Sequence, residues 1–204
     1  EEALAGRKYM EFDTIDHKPD VFIERATETT KHYAYLKIAE GCDNHCTYCI
    51  IPSLRGKFRS RELSSLIDEV KYLVSMGKTE IILVAQDVGK YGLDLYGERR
   101  LTQLLQEIAD VEGVKWIRLL YIYPEDVTDE LIEAIATNEK VLHYIDMPLQ
   151  HIDDWILKKM ARKSRKESIV QKINKLRTRI PDMCIRTTFI VGFRCDIHEE
   201  YLRV

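Results

Sequence analysis

The chain has 204 residues, 45% hydrophobic and 32% charged, with a formal net charge of -3. That is enough for one substantial core and argues against a second complete domain, and the charge excludes the global positive field of a general nucleic-acid binder. No apolar run approaches the length of a membrane span, the longest being pieces such as Ile81-Ile82-Leu83-Val84-Ala85, and no solenoid-type repeat or low-complexity tract occurs.

Residues 1 to about 30 are charged and threonine-rich, with His17-Lys18-Pro19 as a breaker, and read as a linker or the tail of something upstream. The pattern then becomes regular. A strand is predicted at about 33 to 40. A helix follows from Arg61, with Leu63, Leu66, Ile67, Val70, Leu73 and Val74 at helical spacing and Gly77 as its stop. Glu80 to Ala85 is too short and too evenly apolar for anything but a strand buried on both faces. The alternation repeats: helix at about 101 to 111, strand at 116 to 121, helix at 128 to 137, strand at 143 to 147, helices within 154 to 179, strand at 184 to 191. Strict βα alternation means an α/β fold with parallel strands and right-handed crossovers. Five units are too few to close an eight-stranded barrel, which leaves an open doubly wound sheet or a curved partial barrel.

In such a sheet the working groups gather where strands end. The first strand leads into Cys42, Cys46 and Cys49, spaced Cys-x-x-x-Cys-x-x-Cys among the polar residues Asp43, Asn44, His45 and Thr47. The second ends in Gln86-Asp87, the fourth in Pro148-Leu149-Gln150-His151. The fifth carries Arg186 and Thr188 and ends at Gly192. Each has a structural alternative: Asp87 as a helix cap, Arg186 as the partner of a core-edge carboxylate. Three close thiolates are built to hold metal. A structural zinc site wants four ligands, with His45 or a distant histidine as the fourth, whereas a cubane iron-sulfur cluster on three cysteines keeps one iron open for a substrate. The odd cysteine count of five and the lack of a signal-like apolar stretch at Glu1 argue for a reducing, cytoplasmic location over a disulfide framework. Cys184 and Cys195 read as small hydrophobes or incidental. The basic run Lys158-Lys159, Arg162-Lys163, Arg165-Lys166 reads as a solvated face, and Glu125-Asp126, Asp129-Glu130 and Glu133 as acids favoured by a helix start.

The cysteine spacing resembles that of the radical S-adenosylmethionine (SAM) enzymes. The run from Tyr35 to Gly56, the segment Leu83-Val84-Ala85-Gln86-Asp87-Val88-Gly89-Lys90-Tyr91-Gly92 and the segment Tyr144-Ile145-Asp146-Met147-Pro148-Leu149-Gln150-His151-Ile152 are similar to their methylthiotransferase branch. The resemblance covers about residues 30 to 193 and implies the partial, TIM-like barrel, incomplete at its C-terminus. It implies a [4Fe-4S] cluster on Cys42, Cys46 and Cys49, and SAM held at the open iron. The backbone of Tyr48 would contact the adenine, Gln86 the SAM amino group and Arg186 the carboxylate, with Asp87, Gln150, Thr188 and Gly192 completing the cofactor-binding candidates. Gln150-His151 matches the type that methylthiolates the β-carbon of an aspartate on small-subunit ribosomal protein twelve; the type acting on transfer RNA adenosine is the alternative. A zinc-stabilised, non-catalytic ribosome or tRNA interaction module is the reading of a different class. An electron donor such as flavodoxin or ferredoxin would supply the reducing equivalent, and no membrane is involved. The family's second cluster needs three further cysteines, and none precedes Cys42. The chain therefore looks like the central catalytic module (31 to 204) of a longer protein. After Phe193 it departs from the family's Pro-Gly-Glu-Thr with Arg194-Cys195-Asp196-Ile197.

Overall fold

The structure, a computed structural model, describes residues 30–193 together with Gly6 and Ile15. The linker reading of the residues before Thr30 and the departure at Arg194-Cys195 lie outside the described residues. The chain runs β1 (Tyr33–Lys37), β2 (Ala39–Glu40), α1 (Ile51–Arg55), β3 (Arg59–Ser60), α2 (Leu63–Ser75), β4 (Glu80–Val84), α3 (Leu93–Tyr96), α4 (Leu101–Asp110), β5 (Trp116–Leu119), α5 (Asp129–Thr137), β6 (Val141–Asp146), α6 (Asp154–Lys159), α7 (Lys166–Arg179) and β7 (Cys184–Arg186).

Five strands form one parallel sheet in the order β1-β4-β5-β6-β7, the same as their order along the chain. A doubly wound sheet reverses its strand order at a switch point and covers both faces with helices. An unreversed order with right-handed crossovers keeps every helix on one side. Accordingly α2 packs on α4, α4 on α5 and α5 on α7, a single helical layer around the sheet. This is the wall of a partial barrel.

Side-chain alternation sends Ala34, Leu36, Ile81, Leu83, Ile117, Leu119, Val141 and Ile145 into that layer, where they meet Leu66, Val70, Leu73, Leu104, Leu105, Ile108, Leu131, Ile132 and Ile135. Full burial of each aliphatic side chain contributes about 1.5–3 kcal/mol before chain entropy is counted. The other face carries Tyr33, Tyr35, Lys37, Trp116 and Arg118, with Tyr35 and Trp116 exposed. As expected from its apolar run, β4 is buried on both faces at Ile81 and Ile82.

Three predicted strands are shorter than their apolar patterns. The first breaks at Ile38, whose N–H bonds the Val84 carbonyl while its own carbonyl accepts from the Arg61 N–H, so the chain leaves the sheet to form the antiparallel β2–β3 pair. The third ends at Leu119, because Tyr121 takes a left-handed backbone at φ 66°. The last ends at Arg186, beyond which only the Gln150–Phe189 bridge continues the pairing.

Candidate active site

The three cysteines lie on an excursion of the chain between β2 and β3, at the C-terminal edge of the sheet. Its neck is the two-residue ladder Ala39–Ser60 and Glu40–Arg59. Gly41 opens it with φ 84°, and a Cβ there would sit 2.0 Å from the Lys57 carbonyl oxygen, so only glycine permits the two arms to approach. Inside the loop the Cys42 N–H bonds the Gly56 carbonyl at 3.1 Å and the Phe58 N–H bonds the Asp43 carboxylate at 3.1 Å. Two neighbours hold it from outside. The end of α6 accepts from the Thr47 N–H and hydroxyl through the carbonyls of Met160 and Lys159, and the Lys90 ammonium donates to the Asn44 amide oxygen at 2.8 Å.

Cys42 and Cys46 are buried and Cys49 is half-buried, all as free thiols. Each sulfur has a hydrogen-bonding contact: the Asn44 N–H to Cys42 Sγ at 3.4 Å, the Ile51 N–H to Cys49 Sγ at 3.4 Å, and the Tyr123 hydroxyl with Cys46 Sγ at 3.6 Å, where the Tyr48 hydroxyl also approaches. Burial pushes the Cys42 thiol up, against the Asn44 N–H and the Lys90 charge, so the loop stabilises a thiolate only in part by itself. Beside Tyr123 lies Arg162, 3% exposed, its guanidinium carbon 4.0 Å from the ring centre. Arg162 Nη2 donates to the Pro148 carbonyl at 2.9 Å, while Nε and Nη1 are buried without an acceptor. Three sulfurs each with a hydrogen-bonding partner, and a buried cation with open donors, fit a bound group that carries negative charge and binds through thiolates, as an iron-sulfur cluster does. Among the described residues no three His, Cys, Asp or Glu side chains are grouped as the ligands of a single ion would be.

The other residues singled out from the sequence fall into two groups. Gln86 faces the loop: its Nε2 donates to Glu40 Oε1 at 3.3 Å and its buried Oε1 has no donor. Burial raises Glu40, but the Lys37 ammonium and Arg55 guanidinium outweigh it and hold the carboxylate below its ordinary range. Tyr48 stands half-exposed on the loop itself, and Gln150 is buried at the end of the β6 segment with φ 71°, its backbone bonded to Thr188 and Ile190. Thr188 and Gly192 are exposed on the segment after β7. Asp87 and Arg186 take the structural alternatives raised for them. Asp87 is fully buried, accepts from the Gly89 N–H at 3.3 Å as a cap, and faces Asp126. Burial, with the Asp126 charge behind it, pushes the Asp87 carboxyl up to about 8. Arg186 pairs with Asp146 at 2.5 Å.

Sequence reasoning passed over Tyr123, Arg162, Glu40 and Lys90. Tyr123 follows β5, the one strand end for which no polar group was assigned, so the strand-end rule itself could have found it. Arg162 hid inside a basic run. The solvated face holds for Lys158, Lys159, Lys163 and Lys166 and is corrected at the arginines: Arg162 is buried, and Arg165 folds back onto the carbonyls of Arg162 and Ser164. Likewise Asp126, read as a helix-start acid, is buried and bonded by Arg99.

A barrel wall of parallel strands with a three-cysteine loop at its C-terminal edge defines a class, and the Radical SAM superfamily model matches residues 36–203 of the chain. The chain belongs to the radical SAM superfamily. Within it, the chain is 52% identical over 177 residues to the ribosomal protein uS12 methylthiotransferase RimO of Clostridium tetani, and 55% identical over 177 residues to that of Clostridium botulinum. In each case the match covers 87% of this chain and 40% of the relative, so the chain spans about two fifths of the length of the curated relatives it matches. Among solved structures, the radical S-adenosylmethionine methyltransferase TsrM from Kitasatospora setae shares the fold with a TM-score of 0.61 at 17% identity, over 83% of this chain and 34% of that one.

Proposed function

We propose that this chain is the radical SAM module of a methylthiotransferase whose substrate is the β-carbon of an aspartate on small-subunit ribosomal protein uS12. The observation that carries the reading is the cysteine loop with a hydrogen-bonding partner on each sulfur, set in a chain more than half identical over the matched residues to relatives named for that activity.

Cys42, Cys46 and Cys49 would hold a [4Fe-4S] cluster. When bound, such a cluster supplies a low-potential electron for reductive cleavage of SAM. The protein's part is to bind, orient and keep the site dry. Glu40 and Gln86 offer an anionic carboxylate oxygen and an unpartnered amide oxygen side by side, an acceptor pair suited to the SAM ammonium. In this reading the Tyr48 backbone would meet the adenine, and Gln150, Thr188 and Gly192 would complete the cofactor contacts. Arg186, more than half exposed beside its Asp146 partner, would lend a charge to the SAM carboxylate in this reading. The buried rings and strands around the loop exclude water from the reacting centre. The electron donor of flavodoxin or ferredoxin type and a cytoplasmic setting belong to the same reading.

Anaerobic reconstitution with iron and sulfide, followed by reductant and SAM, tests it. About four irons per chain with a brown chromophore and release of 5′-deoxyadenosine are expected. Bound zinc in place of iron would refute the reading. The substrate is tested by joining the chain to the flanking segments of a full-length relative and measuring a methylthio mass gain on uS12 and on tRNA; a gain on tRNA alone would move the assignment.

A further inference from the structure

Burying a guanidinium costs several kcal/mol unless a negative partner and hydrogen-bond acceptors repay it. Arg162 is buried, and among the described residues no carboxylate lies within ion-pair distance of it. Its direct contacts are neutral, the Tyr123 ring beneath it and the Pro148 carbonyl on Nη2, and the nearby Glu125 carboxylate acts on it only from beyond ion-pair distance. Nε and Nη1 remain without acceptors. The backbone fixes this placement, because Ala161 turns through a left-handed conformation at φ 57° and the Arg162 N–H bonds back to the Leu157 carbonyl at 2.8 Å. The same end of α6 carries the carbonyls that hold Thr47 between Cys46 and Cys49. The ring that stacks on Arg162 also reaches Cys46 Sγ through its hydroxyl. A buried cation with no direct ion pair therefore sits one aromatic ring away from a set of thiolates.

We propose that Arg162 is a positioning residue for the cluster: across the Tyr123 ring its buried charge faces the anionic three-thiolate group in the cysteine loop, and it favours that group's reduced form. The proposal rests on the cluster reading above. Reduction adds one electron, taken from an external one-electron donor, and no bond forms or breaks. The added negative charge falls where a desolvated cation already stands, so the reduced state gains more than the oxidised one.

The test is an EPR-monitored redox titration of the reconstituted chain without SAM. In Arg162→Met, which keeps the stem and removes the charge, the ratio of reduced to oxidised cluster at the wild-type midpoint should fall at least tenfold, equivalent to about 59 mV for a one-electron couple. Arg162→Lys should recover most of that ratio. A Met variant that loads iron and titrates at the wild-type midpoint overturns the proposal alone, as does an equal shift in Lys and Met. A wild-type chain that loads no iron overturns the cluster reading and this inference with it. Independently of any substitution, pulsed EPR of the reduced wild-type cluster labelled with [15N]arginine should show weak 15N coupling, and its absence overturns the proposal even if Arg162→Met fails to fold.

Discussion

At the scale of single residues, Asp87 and Gln86 are adjacent in sequence and opposite in consequence. Asp87 keeps its proton in the folded protein to about pH 8, whereas in the unfolded chain it ionises near the ordinary carboxylate value. Between these limits the folded state binds more protons, so stability falls as pH rises from about 4 to about 8 and levels off above. Asp87→Asn, whose amide can donate to Asp126 as the protonated acid does, should flatten that slope; thermal melts of both proteins across pH 5 to 8 make the comparison. An unchanged slope would place the shared proton elsewhere. Gln86→Ala removes one acceptor from the SAM pocket proposed above, and a hydrogen bond to a charged group is worth about 1.5–3 kcal/mol. Affinity for SAM should fall roughly tenfold or more while the melting temperature stays within about two degrees. A drop in stability with intact SAM affinity would make Gln86 a structural residue.

At the scale of elements, the cysteine loop depends on its neck. Gly41→Ala should lose the closed loop, because both the left-handed backbone and the Lys57 carbonyl oppose a methyl group. Reconstitution should then yield little iron even though the three thiols are intact, while far-ultraviolet dichroism still reports the βα scaffold. On the helical layer the acidic start of α5 meets the basic face of α7 in the pairs Asp129–Lys175 and Glu133–Arg179. All four side chains are largely exposed, so these pairs orient the helices more than they stabilise them. Leu104, fully buried between helix and sheet, is another matter. Leu104→Ala should cost about 2–5 kcal/mol in denaturant unfolding, whereas Glu133→Gln should leave the unfolding midpoint nearly unchanged. Equal costs would mean that α4 is not part of the cooperative core.

At the scale of the whole molecule, one loop, one sheet edge and one helix end converge. β1 delivers the cysteines, β4 delivers Gln86, β5 delivers Tyr123, and the return from β6 through α6 delivers Arg162. The described residues contain a single triplet of cysteines, with Cys184 exposed on β7 and apart from it. Reconstitution should therefore saturate at about four irons and four sulfides per chain. Cys184→Ala should leave the absorbance unchanged and any one of Cys42, Cys46 or Cys49→Ala should abolish it. Iron rising to about eight per chain would point to a second cluster.

The βα alternation, the helix that Gly77 ends and the cysteine loop were legible along the chain, because local periodicity and short spacing are properties of neighbouring residues. The strand-end rule also located the mouth from sequence, since parallel strands separated by helices must end at the same edge. Strand order was not legible: open sheet and partial barrel share the same alternation, and only the unreversed pairing β1-β4-β5-β6-β7 separates them. The fates of charged residues were equally hidden. Arg162 and Lys163 are neighbours in one basic run, and Asp126 stands beside Glu125, yet Arg162 and Asp126 are buried while their neighbours are not. Sequence determines that a charge exists, but whether it meets water or an unfilled acceptor site depends on what the rest of the chain folds against it. For Arg162 that is Tyr123 and Pro148, 39 and 14 residues away along the chain and in contact only because β5 and β6 end at one edge.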